Sequence, residues 1–444
     1  MSGEPTGDGR GHGARGSRAD EPASVSLDGR AERRLIELGG AERYVEFTVR
    51  VAEATRPPAE RTPLTLAIVL DRSGSMAGEK LETAKRATLA VIEQLDQRDR
   101  VALVIFDDRI EVLQPATALT STVKSRLREA LGAVQARAST ALHEGWLSGC
   151  QAIADDGGMS AGGTLARCFL LTDGLANVGL TDPEQIASEA AGISRNAGIG
   201  TSTFGIGPDY DEHLLGPMAV AGGGQFHHLR TPAEIASTFV GELGGLLGVA
   251  AQRVRLELAL DAGITAEVIS AYWVEESPGQ LSVAVGDLPA GDERHVVVRF
   301  GFPAGEDGLD RTVRARLVWL AEGIERQGEW RALSFAHASA AACAAEPRDP
   351  AVMHWVGLHQ ADRAERQATE LNRRGDFAGA AQAVARAAGE IAQFAGNDAA
   401  LSTAVAELEA ARPTVAAPMA PMAAKEMYAT SQRRSRAQRD FRRG

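Results

Sequence analysis

The sequence contains little cysteine and no long apolar run. Its three cysteines, Cys150, Cys168 and Cys343, are too few and too scattered for a disulfide framework or a thiolate metal site. No segment approaches the roughly 18 consecutive apolar residues that a membrane-spanning helix requires. The N-terminus also lacks an apolar stretch of the kind that secretory signals contain. We therefore expect a protein without a transmembrane segment that resides in the cytoplasm.

Basic residues are also in short supply relative to acidic ones. The chain has 47 Lys and Arg against 59 Asp and Glu, which gives a formal net charge of −12. Because nucleic acid is bound through a basic surface, this balance predicts that nucleic acid is not the partner. The 444 residues, 44% of them hydrophobic, are enough to bury two or three cores. The composition therefore favours a soluble protein of several domains.

The central segment of the chain, residues 63–248, alternates short apolar strands with amphipathic helical periods. Residues 64–70 are apolar almost throughout, as expected of a strand that is covered on both faces. Residues 80–95 then place apolar side chains along one helical stripe. This alternation predicts a doubly wound, mostly parallel sheet with helices on both faces, which is a Rossmann-like α/β domain.

The residues on either side of this segment have a hydrophobic period of two, which is typical of half-buried strands. Alternating runs separated by turn signals recur over residues 250–340 and predict an antiparallel β-sandwich. Residues 41–56 contain a similar amphipathic strand at 44–51, which we expect to join that sandwich. The α/β domain would then be inserted in the β-sandwich rather than simply followed by it.

Three further segments differ in composition from these domains. Residues 1–40 are rich in glycine and charge, which predicts a disordered lead. Such a segment buries too little apolar surface to offset the conformational entropy lost on ordering. Residues 351–412 have helical spacing with breaks near Gly375 and Gly396, and predict a small α-helical region. A helical hairpin is the simpler interpretation of that region, and a single tetratricopeptide-like repeat is the alternative. Residues 413–444 predict a flexible, arginine-rich tail that is solvated or contacts acidic partners or lipid headgroups.

Oxygen-bearing side chains are concentrated directly after two of the predicted strands. Asp71, Ser73 and Ser75 follow the first apolar strand, Asp173 follows the apolar strand that ends at position 172, and Thr140 begins a helical segment between them. In an open α/β sheet, ligands bind beyond the carboxyl ends of the strands where the strand order reverses. We therefore expect the two carboxylates to face each other, with the three hydroxyl groups around the same point.

This set of donors predicts a metal site. Five hard oxygen ligands without cysteine or histidine favour Mg²⁺, Mn²⁺ or Ca²⁺ over zinc. Two carboxylates roughly neutralise a divalent cation, and the hydroxyl groups add no charge. A cation held in this way attracts one further carboxylate from outside. The chemistry predicted is recognition of a partner through a shared cation.

The D-x-S-x-S motif at 71–75, Thr140 and the T-D-G motif at 172–174 together resemble the metal-ion-dependent adhesion site of von Willebrand factor A-type domains. The resemblance covers residues 63–247, slightly under half of the chain. The flanking segments resemble, more loosely, bacterial proteins related to inter-alpha-trypsin-inhibitor heavy chains. The resemblance implies that Ser73 and Ser75, like the threonine, would coordinate the cation directly, with the two aspartates acting directly or through water.

In such families an acidic residue of a partner protein completes the metal shell. Bacterial proteins with this domain often work with MoxR-type AAA+ ATPases, so the resemblance implies a partner system of that kind. Two departures from the family pattern are visible. Ser139 stands where a glycine often precedes the threonine. Ala77 and Gly78 replace acidic residues that build an adjacent calcium site in some relatives, so no second metal is expected.

The leading interpretation is a non-enzymatic, metal-dependent module for protein–protein interaction. One alternative is a metal-dependent hydrolase or phosphatase that uses Asp71, although haloacid-dehalogenase-like enzymes would have a second aspartate where Ser73 stands. The other alternative is a scaffold whose site is structural, with the hydroxyl side chains capping helices. Histidines are weaker candidates, because His227 and His228 are neighbours in a predicted strand and point to opposite faces. His143 is more simply a helix-surface or capping residue.

Overall fold

The structure is a computed structural model that describes residues 24–53, 61–137, 139–155 and 164–436. The part of the predicted disordered lead that falls within these ranges is ordered. Strand β1 (Val25–Ala31) pairs antiparallel along its whole length with β3 (Ala41–Val51), and β2 (Leu35–Glu37) pairs with residues 336–338. Leu27 and Ile36 are buried in the core of the β domain described below.

The prediction of a disordered lead is therefore wrong for residues 24–40, and residues 1–23 lie outside the described residues. The physical reason is that a few apolar side chains anchor the segment to a core that is built elsewhere. Composition averaged over forty residues does not reveal such anchors.

Alternating strands and helices over residues 64–247 form the α/β domain. Its strands are β4 (Leu64–Asp71), β5 (Arg100–Phe106), β6 (Ile110–Ala118), β7 (Leu165–Thr172), β8 (Ile199–Ile206) and β9 (Gly223–Leu229). Its helices are α1 (Glu79–Gln94), α2 (Ser121–Ala133), α3 (Leu142–Ala154), α4 (Pro183–Ala197), α5 (Glu212–Ala221) and α6 (Glu234–Leu247). Within the described residues the six strands have the order β6-β5-β4-β7-β8-β9, and only β6 runs antiparallel to its neighbour.

Helices cover both faces of this sheet. One core contains residues of α1, α2 and α6, and the core on the other face contains residues of α3, α4 and α5. Strands β4, β7 and β8 are buried along their whole length, which explains their continuous apolar sequences. The chain leaves β4 on one side for β5 and β6 and returns on the other side for β7, so the strand order reverses at β4.

Strands on either side of the α/β domain in sequence form the β domain. The remaining strands are β10 (Val249–Leu260), β11 (Thr265–Val268), β12 (Trp273–Ser277), β13 (Gln280–Pro289), β14 (Glu293–Phe302), β15 (Asp310–Ala321), β16 (Ile324–Gln327) and β17 (Arg331–Ala338). In the described part of the chain, one sheet has the order β1-β3-β14-β11 and the other the order β12-β13-β10-β15-β17-β2, with β16 on β15. Side chains from both sheets share one apolar core. Since β3 precedes the α/β domain and pairs with β14, which follows it, the α/β domain is an insertion in the β domain.

Helices form the C-terminal part of the described chain. They are α7 (Ala340–Ala345), α8 (Pro350–Arg373), α9 (Phe377–Ala395), α10 (Ala399–Val415) and α11 (Pro421–Ser435). The predicted breaks at Gly375 and Gly396 separate α8 from α9 and α9 from α10, so the segment contains three helices where a hairpin has two. These observations confirm the predicted fold class of a doubly wound sheet, an additional antiparallel β region and a helical region. None of the described helices combines the length and the apolar composition that a bilayer crossing requires.

The described part of the predicted arginine-rich tail is helical and packed. Tyr428 is buried in the core of the α/β domain, and Lys425 pairs with Glu212 of α5 at 2.6 Å. Arg434 donates hydrogen bonds to the carboxylates of Asp362 and Glu365 on α8. The prediction of a flexible tail is therefore wrong for residues 413–436, because Lys425 and Arg434 pair with acidic residues of other helices and Tyr428 is buried. Residues 437–444 lie outside the described residues.

A pair of glycine substitutions tests the docking of α11. A Cβ atom at Gly216 of α5 would lie 2.7 Å from the Tyr428 ring, whereas a Cβ atom at Gly244 of α6 would meet no atom within 4 Å. We expect Gly216→Ala to lower the free energy of unfolding by about 1–3 kcal/mol through overpacking. Gly244→Ala should raise it by about 0.5–1 kcal/mol, as alanine does in an open helical position. Urea denaturation of the full chain measures both, and an equal stabilisation by the two variants would contradict the packing of Tyr428 on α5.

Candidate functional site

The predicted site lies at the carboxyl ends of two neighbouring parallel strands. Asp71 is the last residue of β4, and Asp173 directly follows the last residue of β7. The register places Leu70 opposite Leu171, so the two aspartates leave the sheet side by side. Both side chains are fully buried. This position is the reversal of strand order at which open α/β sheets bind ligands.

Hydrogen bonds join the two carboxylates through serine side chains. Asp71 Oδ1 accepts a hydrogen bond from the backbone N–H of Ser73 at 2.7 Å, and Asp71 Oδ2 accepts one from the Thr172 hydroxyl. The hydroxyl oxygens of Ser73 and Ser75 are 3.1 Å apart, and the Ser75 hydroxyl donates to Asp173 Oδ1 at 2.7 Å. These hydrogen bonds therefore connect the two aspartates, the two serines and Thr172 in one polar cluster.

Thr140 reaches the same cluster from a different loop. A Cβ atom placed on Gly174 would lie 3.3 Å from Thr140 Oγ1, 3.7 Å from Ser75 Oγ and 3.9 Å from Asp71 Oδ2. Oxygens from three separate segments therefore surround one small volume beside Gly174. A side chain at that position would fill part of this volume. The structure thus brings together all five residues that the sequence predicted as ligands.

A buried carboxylate that the sequence analysis missed holds two of these loops in place. Asp107, which follows β5, accepts hydrogen bonds from Arg72 Nε at 2.9 Å and pairs with Arg137 Nε at 3.0 Å. The Asp107 carbonyl accepts the N–H of Ala141 at 2.8 Å, immediately after Thr140. Asp107 therefore ties the loop that carries the serines to the loop that carries the threonine. The sequence feature that could have identified Asp107 is its position in a tight turn at the end of a strand.

Two further residues of the site were also missed. Thr172 donates to Asp71, and Lys80 of α1 forms an ion pair with Asp173 Oδ2. Thr172 is part of the T-D-G motif and could have been found from it. Lys80 carried no comparable signal, because a lysine near the start of a helix has no expected partner in the sequence.

The electrostatics of the site follow from the burial of charge. The pKa of the Asp71 carboxyl is raised from 3.8 to about 6, mainly by burial and to a smaller extent by the nearby Asp173 carboxylate, against the lowering effect of hydrogen bonds from Ser73 and Thr172. At neutral pH the Asp71 carboxyl is therefore mostly ionised, but at an energetic cost. A bound divalent cation would offset that cost.

The donor set fits a hard divalent cation. The candidate ligands are two carboxylates and three hydroxyl groups, all oxygen, which suits Mg²⁺, Mn²⁺ or Ca²⁺. Across the ranges that the structure describes, no three His, Cys, Asp or Glu side chains are grouped in a way that could hold a metal ion. A cation at this site would therefore have two carboxylates and would depend for its other ligands on neutral hydroxyls, water and any carboxylate supplied from outside.

The histidines set aside on sequence grounds have other contacts. His227 lies 3.2 Å from the Glu242 carboxylate, and His228 lies 2.7 Å from the Tyr210 hydroxyl. His143 lies 2.7 Å from the Glu189 carboxylate and is buried, so the interpretation of it as a helix-surface residue is wrong. These partners differ for each histidine, so the three do not form one site.

The comparison with known domain families decides the identity of the inserted domain. The sequence model of the von Willebrand factor type A domain matches residues 65–239. These residues form a von Willebrand factor type A (VWA) domain. A solved structure described as a von Willebrand factor type A protein from Catenulispora acidiphila is 19% identical, has a TM-score of 0.69 and covers 90% of this chain and 90% of its own. The shared fold therefore extends beyond the VWA domain.

Relatives in sequence include bacterial and animal proteins. YfbK of Escherichia coli K12 is 24% identical, over 63% of this chain and 48% of its own length. The human inter-alpha-trypsin inhibitor heavy chain H4 is 25% identical, over 39% of this chain and 19% of its own. The chain spans less than half the length of the curated relatives it matches. These findings confirm the resemblance found in the sequence. VWA domains typically mediate protein interactions and often bind a divalent cation.

The raised pKa of Asp71 leads to a test of stability against pH. In the folded, metal-free protein Asp71 binds a proton up to about pH 6, whereas in the unfolded chain it does so only up to its ordinary value. The contribution of Asp71 to the free energy of unfolding is therefore most favourable at low pH and is lost as pH rises from about 4 through 6. Asp71→Asn removes this dependence while retaining an acceptor for the Ser73 N–H.

In EDTA we expect Asp71→Asn to be more stable than the wild type at pH 8, by up to about 3 kcal/mol, with the difference shrinking toward zero near pH 4. Chemical denaturation at a series of pH values measures this difference. A difference that stays constant over the series would contradict the assignment of the raised pKa to Asp71.

Proposed function

We propose that the chain is a non-enzymatic, metal-dependent module for protein–protein interaction. In this proposal Asp71, Ser73, Ser75, Thr140 and Asp173 hold a divalent cation. Mg²⁺ is our first choice, with Mn²⁺ or Ca²⁺ as alternatives. An Asp or Glu side chain of a partner protein completes the metal shell. The observation that carries the proposal is the convergence of two buried carboxylates with three neutral hydroxyl groups at the reversal of strand order.

The charges of the cluster support a role for an outside carboxylate. The two aspartates balance the charge of a divalent cation, and the hydroxyl groups of Ser73, Ser75 and Thr140 add none. Hydroxyl oxygens are weaker ligands than carboxylates, so such a site leaves the cation able to attract another anion. A carboxylate of a partner provides that ligand and brings the partner to the carboxyl edge of the sheet.

The placement of Asp71 supports a non-enzymatic role. Its carboxylate is fully buried, and each of its oxygens already accepts a hydrogen bond. A phosphoryl-accepting aspartate of the haloacid-dehalogenase kind would also have a second aspartate two positions later, where this chain has Ser73. The alternative of a hydrolase or phosphatase would be favoured by turnover of p-nitrophenyl phosphate that is lost in Asp71→Asn. We also propose a cytoplasmic location, which cell fractionation tests, and a MoxR-type AAA+ ATPase as the first partner to examine.

A matched pair of variants tests the metal site. Thr140 is buried at the cluster, whereas its neighbour Ser139 is exposed. We expect Mg²⁺ or Mn²⁺ to raise the melting temperature of the wild type and of Ser139→Ala, because binding to the folded state stabilises it. Thr140→Ala, which lacks one ligand, should show a rise at least several-fold smaller at the same metal concentration. An equal rise in all three proteins would place the metal elsewhere.

Partner binding is tested by affinity capture from lysate in Mg²⁺ and in EDTA. We expect a protein that the wild type and Ser139→Ala capture in Mg²⁺ only, and that Asp173→Ala does not capture. Circular dichroism confirms that each variant is folded. In the captured protein, one Asp or Glu should be required, so that its change to Asn or Gln abolishes binding. Equal capture under all conditions would instead support a scaffold with a structural site.

A further inference from the structure

The side chain of Lys80 contacts one of the proposed metal ligands. Its ammonium group pairs with Asp173 Oδ2, while Asp173 Oδ1 accepts the Ser75 hydroxyl. The lysine side chain is only 26% exposed, and the aspartate is fully buried. One proposed metal ligand is therefore already neutralised by a cation that belongs to the chain.

The position of Lys80 in its helix is unfavourable on local grounds. It is the second residue of α1, where the positive end of the helix dipole disfavours a cationic side chain. The acidic Glu82 of the same turn is paired with Lys85 at 2.7 Å. The contact with Asp173 therefore compensates for an arrangement that the helix itself does not favour.

A turn at Gly78 precedes this helix. Gly78 has a φ of 82°, a backbone conformation that favours glycine, and it separates the Ser73–Ser75 loop from α1. A residue of the first helical turn contacts the site that the preceding loop forms. Lys80 is that residue.

We propose that Lys80 competes with the divalent cation for Asp173 and so makes cation binding depend on the carboxylate of the partner. This inference rests on the proposed function. With Lys80 the two aspartates carry a net charge of −1, a divalent cation changes it to +1, and a partner carboxylate restores neutrality. With a neutral residue at position 80 the same steps run from −2 to 0 and then to −1. Lys80 therefore weakens binding of the cation and strengthens binding of the partner carboxylate.

This charge balance predicts a measurable coupling. Removing a like charge a few ångströms from the cation should tighten binding of Mn²⁺ by about tenfold or more, even with partial solvent screening. By linkage, a carboxylate that binds the loaded site must increase the affinity for Mn²⁺, and this increase should be larger when Lys80 is present.

The experiment is a titration of the full chain with Mn²⁺, followed by calorimetry, in chloride buffer and again with added acetate as the carboxylate probe. The proteins are the wild type, Lys80→Met, Lys80→Arg and Lys85→Met. Lys80→Arg keeps the charge, and Lys85→Met removes a lysine of the same helix that pairs with Glu82 instead. Thermal denaturation in EDTA confirms that each variant is folded.

We expect Lys80→Met to bind Mn²⁺ about tenfold tighter than the wild type in chloride, and to gain less affinity from acetate than the wild type does. Lys80→Arg and Lys85→Met should behave as the wild type. Lys80→Met should also melt lower in EDTA and show the larger rise in melting temperature with Mn²⁺, since its buried Asp173 has lost its partner.

The outcomes separate this inference from the proposed function. Unchanged or weaker Mn²⁺ binding by Lys80→Met, with binding by the wild type that Thr140→Ala abolishes, would overturn the role of Lys80 and leave the metal site intact. Binding by Lys80→Met alone would support the competition directly. Absence of Mn²⁺ binding in both proteins, or equal binding by Thr140→Ala, would overturn the metal site and the inference with it.

Discussion

Two carboxylates are buried side by side at the ends of β4 and β7, and much of the surrounding structure compensates for that charge. Burying one unpaired carboxylate is costly, and a second one nearby adds repulsion. Asp71 is stabilised by the Ser73 N–H and the Thr172 hydroxyl, and Asp173 by Ser75 and Lys80. The loop that carries Ser73 and Ser75 and the start of α1 therefore both stabilise the charges that the parallel register brings together. A protein that needed only a stable sheet would place apolar residues there.

The opposite edge of the sheet is where the VWA domain meets the β domain. Arg167, near the start of β7, donates to the Gly223 carbonyl at 3.1 Å and pairs with Asp287 of β13. Arg436 donates to the Gly224 carbonyl at 2.9 Å. These contacts all lie at the amino ends of β7 and β9. The contacts of these two arginines therefore lie at the edge opposite the oxygen cluster, whereas α11 contacts the insertion at α5.

Periodicity and motif spacing were sufficient to predict the sheet and the five clustered residues. The apolar strands β4 and β7 and the polar residues at their ends are local patterns, and parallel pairing brings them together. Contacts between distant segments were not predictable. Arg434 pairs with acids 72 and 69 residues away, and β1 depends on a core completed after residue 250. Lys80 belongs to the same class, because its partner is 93 residues further along the chain.

The packing of Tyr428 on α5 shows that the border of the sequence family is not the border of the folded unit. The family match ends at residue 239, yet the ring that completes the outer surface of α5 comes from almost two hundred residues later. A fragment that ends at the borders of the family match would expose the apolar surface of α5 that Tyr428 covers in the whole chain. The domain in isolation would therefore need another group in place of α11, or polar residues on this surface of α5. The helical segment therefore covers an apolar surface of the domain that carries the site.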